Sequence, residues 1–285
     1  LLLFFKKEVL AFFFQMISLL VSDIDGTLVT SDKRLTPAAK QAARSLSDHG
    51  VKLVLTSSRP PRGVALFADA MGLDTPRAGF NGGAIVAPDG KLLSFKPLEP
   101  DVASTTLAHL QEAGINPWLF TADEWLLINP HGAYVECEQH TVQMNFRVVP
   151  NFDDVLDKAG KIMAASRDFA ALAECETALQ EQLCTRASVH RSQDYYLDIT
   201  HPAANKGQAV RDAARLLDIP LSETACIGDM PNDLPMFDVA AIKIAMGNAP
   251  EFMRARADFV THSNEADGWA HAVNSYVVPR AKGDP

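Results

Sequence analysis

Three features of the 285-residue sequence predict an α/β protein, an open parallel sheet interrupted by a second, α+β domain. Residues 17–21 are continuously apolar and give way to the polar stretch 22–26, the pattern of a strand buried on both faces that ends in a loop. A helical stretch and a second apolar run, 51–56, follow at the spacing of a βαβ unit, and the last third of the chain repeats this rhythm. Between about residues 85 and 190 the pattern changes to hairpins mixed with helices, as in a domain inserted into the chain.

The elements follow in order. Thr36 and Pro37 read as the cap and first residue of a helix through Ala39, Ala42, Ala43 and Leu46, closed by Gly50. In the insert, 84–86 and 91–95 form a hairpin around Pro88, Asp89 and Gly90, and a helix covers 100–113. Strands are predicted at 118–121, 125–128, 146–149 and 161–165, with helices over 131–142 and 169–183. The final third supplies a helix at 207–217, a strand at 224–227, a helix at 234–239 and a strand at 242–245.

The opening LLLFFKKEVLAFFFQ is much more apolar than the rest, but Lys6, Lys7 and Glu8 interrupt it short of a bilayer-spanning length. No basic region precedes it as in a secretory signal, and Met16 directly precedes ISLLVSDIDGT. Residues 1–15 are therefore expected to be upstream or expression-derived sequence and are set aside, with no membrane partner. Lys plus Arg number 26 against 35 Asp plus Glu, a net charge of −9 that repels phosphate backbones and argues against nucleic acid as the main partner. Cys137, Cys175, Cys184 and Cys226 lie 38, 9 and 42 residues apart, without a C-x-x-C pair. This spacing predicts reduced thiols, a cytoplasmic location and no zinc site.

Four short motifs carry the chemistry. Asp23-Ile24-Asp25-Gly26-Thr27 follows the first strand, and two carboxylates so spaced can both face a site where Gly26 lets the chain turn. One can then act as a nucleophile and the other as a general acid and base, although an ordinary Asp-Gly turn has the same letters. Gly228-Asp229-Met230-Pro231-Asn232-Asp233 follows another apolar strand. Carboxylates at two neighbouring strand ends make a hard-oxygen site suited to Mg²⁺, while Asn232 or Asp233 can equally cap the next helix. Thr56-Ser57-Ser58-Arg59-Pro60 offers hydroxyls to a phosphate oxygen and is also common turn chemistry. Asn205-Lys206-Gly207, at a helix start, places an ammonium where it can hold phosphate and a carboxylate together, although a lone lysine is ordinarily solvated.

In this order the four motifs resemble those of the haloacid dehalogenase-like (HAD) superfamily, and the chain is most similar to its Cof-type, or type IIB, phosphatases. Supporting residues are Phe80-Asn81-Gly82-Gly83-Ala84, Ala245-Met246-Gly247-Asn248-Ala249 and Ser263-Asn264-Glu265-Ala266-Asp267-Gly268, and the resemblance spans about residues 17–275. It implies a Rossmann-like parallel-sheet core, residues 16–84 and 191–285, with an inserted α+β cap domain, residues 85–190. It also implies that Asp23 attacks phosphorus and becomes an aspartyl phosphate, and that Asp25 protonates the leaving alcohol and then deprotonates water. Mg²⁺ would be held by Asp23, the carbonyl of Asp25, and Asp229, with Asp233 close behind. Ser57 and Lys206 would bind the transferring phosphoryl group, with Asn232 near it. An anionic nucleophile attacking an anionic phosphate requires such cations.

Two positions depart from the family pattern. Ser58 stands where glycine is usual, so Thr56, Ser57 and Ser58 are each open as the hydroxyl donor; Ser57 is chosen because Ser57-Ser58-Arg59-Pro60 aligns with the family's Thr-Gly-Arg-Pro. Pro231 is less usual within its motif. Asp25 separates the superfamily's reactions, because dehalogenases lack a carboxylate there and ion-pumping ATPases carry threonine. That leaves a phosphatase or, as the alternative, a phosphomutase or phosphotransferase using the same phosphoaspartate. Only 32 residues separate Asp25 from Ser57 but 149 separate Ser57 from Lys206, which places the cap between the second and third motifs. Such a cap excludes macromolecules and implies a small sugar phosphate or phosphorylated cofactor, handled by a monomer or small homo-oligomer. Trp125, His131, Tyr134 and Arg147 lie in the insert, and such residues are read as core before specificity.

Overall fold

The structure, a computed structural model, describes residues 15–282, so the expectation for the N-terminal segment falls outside the described residues except at Gln15. The strands in chain order are β1 (Leu19–Ser22), β2 (Lys52–Leu55), β3 (Arg77–Gly79), β4 (Ala84–Val86), β5 (Leu92–Phe95), β6 (Pro117–Phe120) and β7 (Trp125–Leu127). They continue with β8 (Phe146–Val148), β9 (Lys161–Ala165), β10 (Ser188–Gln193), β11 (Tyr196–Thr200), β12 (Thr224–Gly228), β13 (Ile242–Ala245) and β14 (Phe259–Val260). The chain divides into two compact units. Among the described residues, one contains residues 15–57, Phe67–Arg77 and residues 206–282; the other contains Ser58–Leu66 and Ala78–Asn205.

The first unit is built on a fully parallel sheet in the order β14-β13-β12-β1-β2. Leu19, Val21, Val54 and Cys226 pack against Val210, Ala213 and Ala214 of the helix Lys206–Leu216 and against Met236 and Phe237. Alternate strand residues face the opposite way, and the helix Pro37–Asp48 buries its Ala39, Ala42, Ala43 and Leu46. That helix begins as its sequence predicts. Thr36 accepts the amide of Ala39 at 3.1 Å, and Pro37 follows at the first helical position, where no amide is needed.

The second unit centres on a six-stranded sheet in the order β10-β11-β9-β6-β7-β8, antiparallel except for β7 with β8. Leu107 and Leu110 of the helix Pro100–Glu112, and Leu172 and Leu179 of the helix Phe169–Leu183, bury against Leu119, Ile162 and Leu197 on one face. On the other face Trp118, Phe120, Trp125, Met163 and Tyr196 gather with Val135 and Val142 of the helix Val135–Val142. Trp125 packs edge-on to Trp118 with centroids 5.3 Å apart and stacks on Phe120 at 5.4 Å, an aromatic core rather than an exposed surface. Within this face Lys161 pairs with Asp198 at 2.7 Å, both largely buried. Burial pushes the Glu138 carboxyl up, against the opposing pull of Lys161.

Several elements differ from the expectations. The helix expected over 131–142 begins only at Val135, because Asn129 Oδ1 accepts the His131 amide in a turn and Tyr134 takes a left-handed conformation, φ +63°. The helix Pro61–Ala70 is additional; Pro61 at its start and the buried Val64, Phe67 and Ala68 were its signal. The hairpin β10–β11 is also additional, and it carries the six-stranded sheet to Thr200, past residue 190. All four cysteines are free thiols, and among the described residues no helix is long and apolar enough to cross a membrane.

The buried Lys161–Asp198 pair gives a stability prediction. Lys161→Met would leave Asp198 and Glu138 buried without their cation, a loss of about 3–5 kcal/mol. It should appear as a lower urea midpoint in the fluorescence of Trp118 and Trp125; an unchanged midpoint would show the pair to be dispensable.

Candidate active site

In the parallel sheet the chain passes from β1 outward to β2 on one side and returns through β12, β13 and β14 on the other. The crevice beyond the carboxyl ends of β1 and β12 is therefore the topological switch point, where ligands of open α/β sheets bind. Backbone bonds bring these ends level. Asp23 N donates to Ile227 O at 3.1 Å, Thr56 N to Ser22 O at 2.9 Å and Met246 N to Gly228 O at 3.1 Å. The motif residues after β1, β2 and β12 are thereby delivered to one end of the sheet.

At that end Lys206 Nζ lies 2.5 Å from Asp23 Oδ1 and 2.6 Å from Asp233 Oδ1, and all three side chains are almost completely buried. Asp233 is fully engaged, since its Oδ2 accepts the amides of Asp229 and Met230 at 2.9 and 3.0 Å. It thus pins the turn Pro231–Asp233 and the ammonium together. Gly228 makes room for this, because a Cβ there would lie 2.5 Å from Asp233 Oδ2. Asp229 completes the cluster, and Asp23, Asp229 and Asp233 each bring a carboxylate oxygen within 4.8 Å of the others. Thr27 Oγ1 donates to Asp229 Oδ1 at 2.9 Å. Gly26 turns the chain with φ +79°, and a Cβ there would stand 2.3 Å from Asp229 Oδ2, so only glycine fits.

The other predicted residues are placed less uniformly. Asp25 carries a partly exposed carboxylate paired with Lys33 at 2.7 Å, a contact that sequence reading missed because Lys33 lies eight positions on, in an irregular loop. Ser57 is buried at the end of β2, and its neighbour Thr56 has a buried hydroxyl without a hydrogen-bond partner. Asn232 is exposed in the turn Pro231–Asp233. Asn248 was not among the predicted site residues, yet its Nδ2 donates to Gly26 O at 2.9 Å and to Asp229 Oδ2 at 3.2 Å. In the sequence its motif, residues 245–249, stands only as family support.

The electrostatics show what the cluster lacks. Three buried carboxylates face one ammonium, so negative charge is left uncompensated. Burial first, then Asp233, pushes the Asp229 carboxyl up to about 6, against the hydrogen bond from Thr27. Burial also raises Asp23 well above its ordinary value, despite the opposing Lys206. For Lys206 burial acts downward, but Asp23 and Asp233 outweigh it and hold the ammonium protonated. A compact set of carboxylate oxygens that resists full ionisation fits a hard divalent cation.

A family model of haloacid dehalogenase-like hydrolases matches residues 20–273. The chain belongs to that family. Among curated relatives, YxeH of Bacillus subtilis is 30% identical over 280 residues, covering 93% of this chain and 100% of that protein. The 5-amino-6-(5-phospho-D-ribitylamino)uracil phosphatase YwtE of Bacillus subtilis is 24% identical, covering 88% and 95%. The crystal structure of a haloacid dehalogenase-like hydrolase from Bacteroides thetaiotaomicron has a TM-score of 0.83 at 26% identity, covering 90% of this chain and 98% of that one. Both curated relatives are named phosphatases, and the chain is an enzyme of the phosphoric monoester hydrolase class.

The raised Asp229 carboxyl yields a pH prediction. Without a cation, a folded-state value of about 6, above the ordinary 3.8 of an unfolded aspartate, contributes stability that is fully present only below the unfolded value and is lost as pH rises through 6. A divalent cation held there would replace the missing charge, so adding one should raise Tm by several degrees above pH ~7 and much less below pH ~5. Equal shifts at both pH values would separate cation binding from this carboxylate.

Proposed function

We propose that this hydrolase removes phosphate from small phosphate monoesters, a sugar phosphate or a phosphorylated cofactor, with Mg²⁺ and through an aspartyl phosphate on Asp23. The observation that carries this reading is Asp23 at the sheet's switch point, joined to Lys206 and clustered with Asp229. One oxygen of Asp23 is ion-paired to Lys206, so the phosphoryl group meets an oriented nucleophile beside a buried positive charge. Lys206 offsets the repulsion between the Asp23 carboxylate and the ester dianion, while Ser57 and Asn232 contact the phosphoryl oxygens. In the first step an Asp23 oxygen bonds to phosphorus, the bond from phosphorus to the ester oxygen breaks, and Asp25 gives its proton to the departing alcohol. In the second, Asp25 takes a proton from water, whose oxygen bonds to phosphorus as the Asp23–phosphate bond breaks and orthophosphate leaves.

Asp23, the Asp25 carbonyl and Asp229 would hold Mg²⁺, with Asp233 fixing Asp229 and Lys206 from behind. When bound, the cation supplies charge neutralisation on the phosphoryl oxygens. Lys33 lies 2.7 Å from the Asp25 carboxylate, so Asp25 leaves that pair before it donates a proton. The phosphatase reading for small substrates is supported by the relative named for a phosphorylated ribitylaminouracil. The four free cysteines suit action in the reducing cytoplasm.

The test is orthophosphate release from a panel of small phosphate esters. Wild type with Mg²⁺ should release phosphate, EDTA should abolish release and Mg²⁺ restore it. Asp23→Asn should lose at least about 10³-fold in kcat while remaining folded. Near-normal turnover by Asp23→Asn would overturn the mechanism, and an isomeric product without free phosphate would reassign the enzyme as a mutase.

A further inference from the structure

Two motifs, at 245–249 and 263–268, take no part in the chemistry proposed above, yet they converge on Asp229. Asn248 follows β13, and besides donating to Gly26 O and Asp229 Oδ2 it accepts the backbone amide of Asn264 on its Oδ1 at 3.1 Å. A backbone N–H can only donate, so the Asn248 atom facing it must be oxygen. The amide NH₂ is then left for Gly26 and Asp229, and the orientation of the side chain follows from its neighbours.

Asn264 is itself anchored. It is buried, and its Nδ2 donates to Val29 O at 3.0 Å. The residues after it grip the loop that begins at Asp23, with Ser31 N donating to Glu265 Oε1 at 2.6 Å and Thr36 Oγ1 to Asp267 Oδ1 at 2.7 Å. Trp269 Nε1 donates to Ser22 Oγ at 2.8 Å, and that hydroxyl donates on to Asp23 O at 2.7 Å. Asp229 therefore has Thr27 on Oδ1 and Asn248 on Oδ2, two donors whose own positions are fixed, and its carboxylate plane cannot rotate freely.

We propose that Asn248, oriented by Asn264, is a positioning residue that sets the cation affinity of the site by fixing the Asp229 carboxylate. The inference rests on the reading of Asp229 as a metal-holding residue. Donors behind a ligating carboxylate change metal affinity about 10–100-fold when removed. Asn248 is exposed, so truncating it leaves no buried cavity, and a purely structural tie would show in Tm without changing metal binding.

The experiment titrates the full chain with Mn²⁺ followed by electron paramagnetic resonance, and with Mg²⁺ by calorimetry, for wild type, Asn248→Ala, Asn264→Ala and Asp229→Asn. Asn248→Ala should raise Kd about 10-fold or more, with kcat recovering at saturating Mg²⁺. Asn264→Ala should shift Kd the same way but less, because its backbone amide survives. Wild-type Kd in Asn248→Ala, alongside lost binding in Asp229→Asn, would overturn the inference alone. Wild-type Kd in Asp229→Asn would overturn the metal reading and the inference with it.

Discussion

The ammonium of Lys206, buried between Asp23 and Asp233, is the contact on which the rest of the site depends. A buried charge is tolerated only when its partners are close and their remaining lone pairs are filled. Asp233 meets that condition by accepting two backbone amides, and the same amides belong to the turn that presents Asp229. One lysine thus couples the loop after β1 to the loop after β12. Removing it would leave two carboxylates facing each other away from water. The pair of pushed-up carboxyls at Asp23 and Asp229 marks the charge that this lysine does not cover, and which a divalent cation is suited to cover.

The parallel sheet explains why those loops meet. Strands β1 and β12 are neighbours in space although about two hundred residues separate them in sequence, and β2 extends the sheet on the far side of β1. The strand ends are held level by backbone bonds, so the side chains following them sit on a rigid platform rather than on free loops. The segment from Asn264 to Trp269 adds a second layer of restraint by binding the loop that begins at Asp23 from outside. Preorganisation of this kind is what electrostatic catalysis of phosphoryl transfer requires, because the charges are already in place when the substrate arrives.

Much of this was legible in the sequence, for identifiable reasons. The apolar runs that became β1, β2 and β12 are almost entirely buried, so their pattern is strong, and the motifs directly after them, acidic after β1 and β12 and hydroxyl-bearing after β2, inherited their location. Thr36 and Pro37 predicted a helix start that the Thr36–Ala39 bond realises. The helix expected from 131 failed because its first turn is set by Asn129 and by a left-handed Tyr134, choices that periodicity does not encode. The Lys33–Asp25 and Asn248–Asp229 contacts were illegible for a different reason. They join residues whose spacing carries no signal until the loops are folded.

The central claim is that Asp23 carries the phosphoryl group. The most direct measurement is to quench the enzyme in acid during steady-state turnover of a hydrolysed ester, reduce it with borohydride and sequence its peptides by mass spectrometry. An acyl phosphate on Asp23 is reduced to homoserine, so the account predicts homoserine at position 23 only when substrate and Mg²⁺ are both present. Aspartate recovered unchanged at position 23, with the modification on another residue, would contradict it.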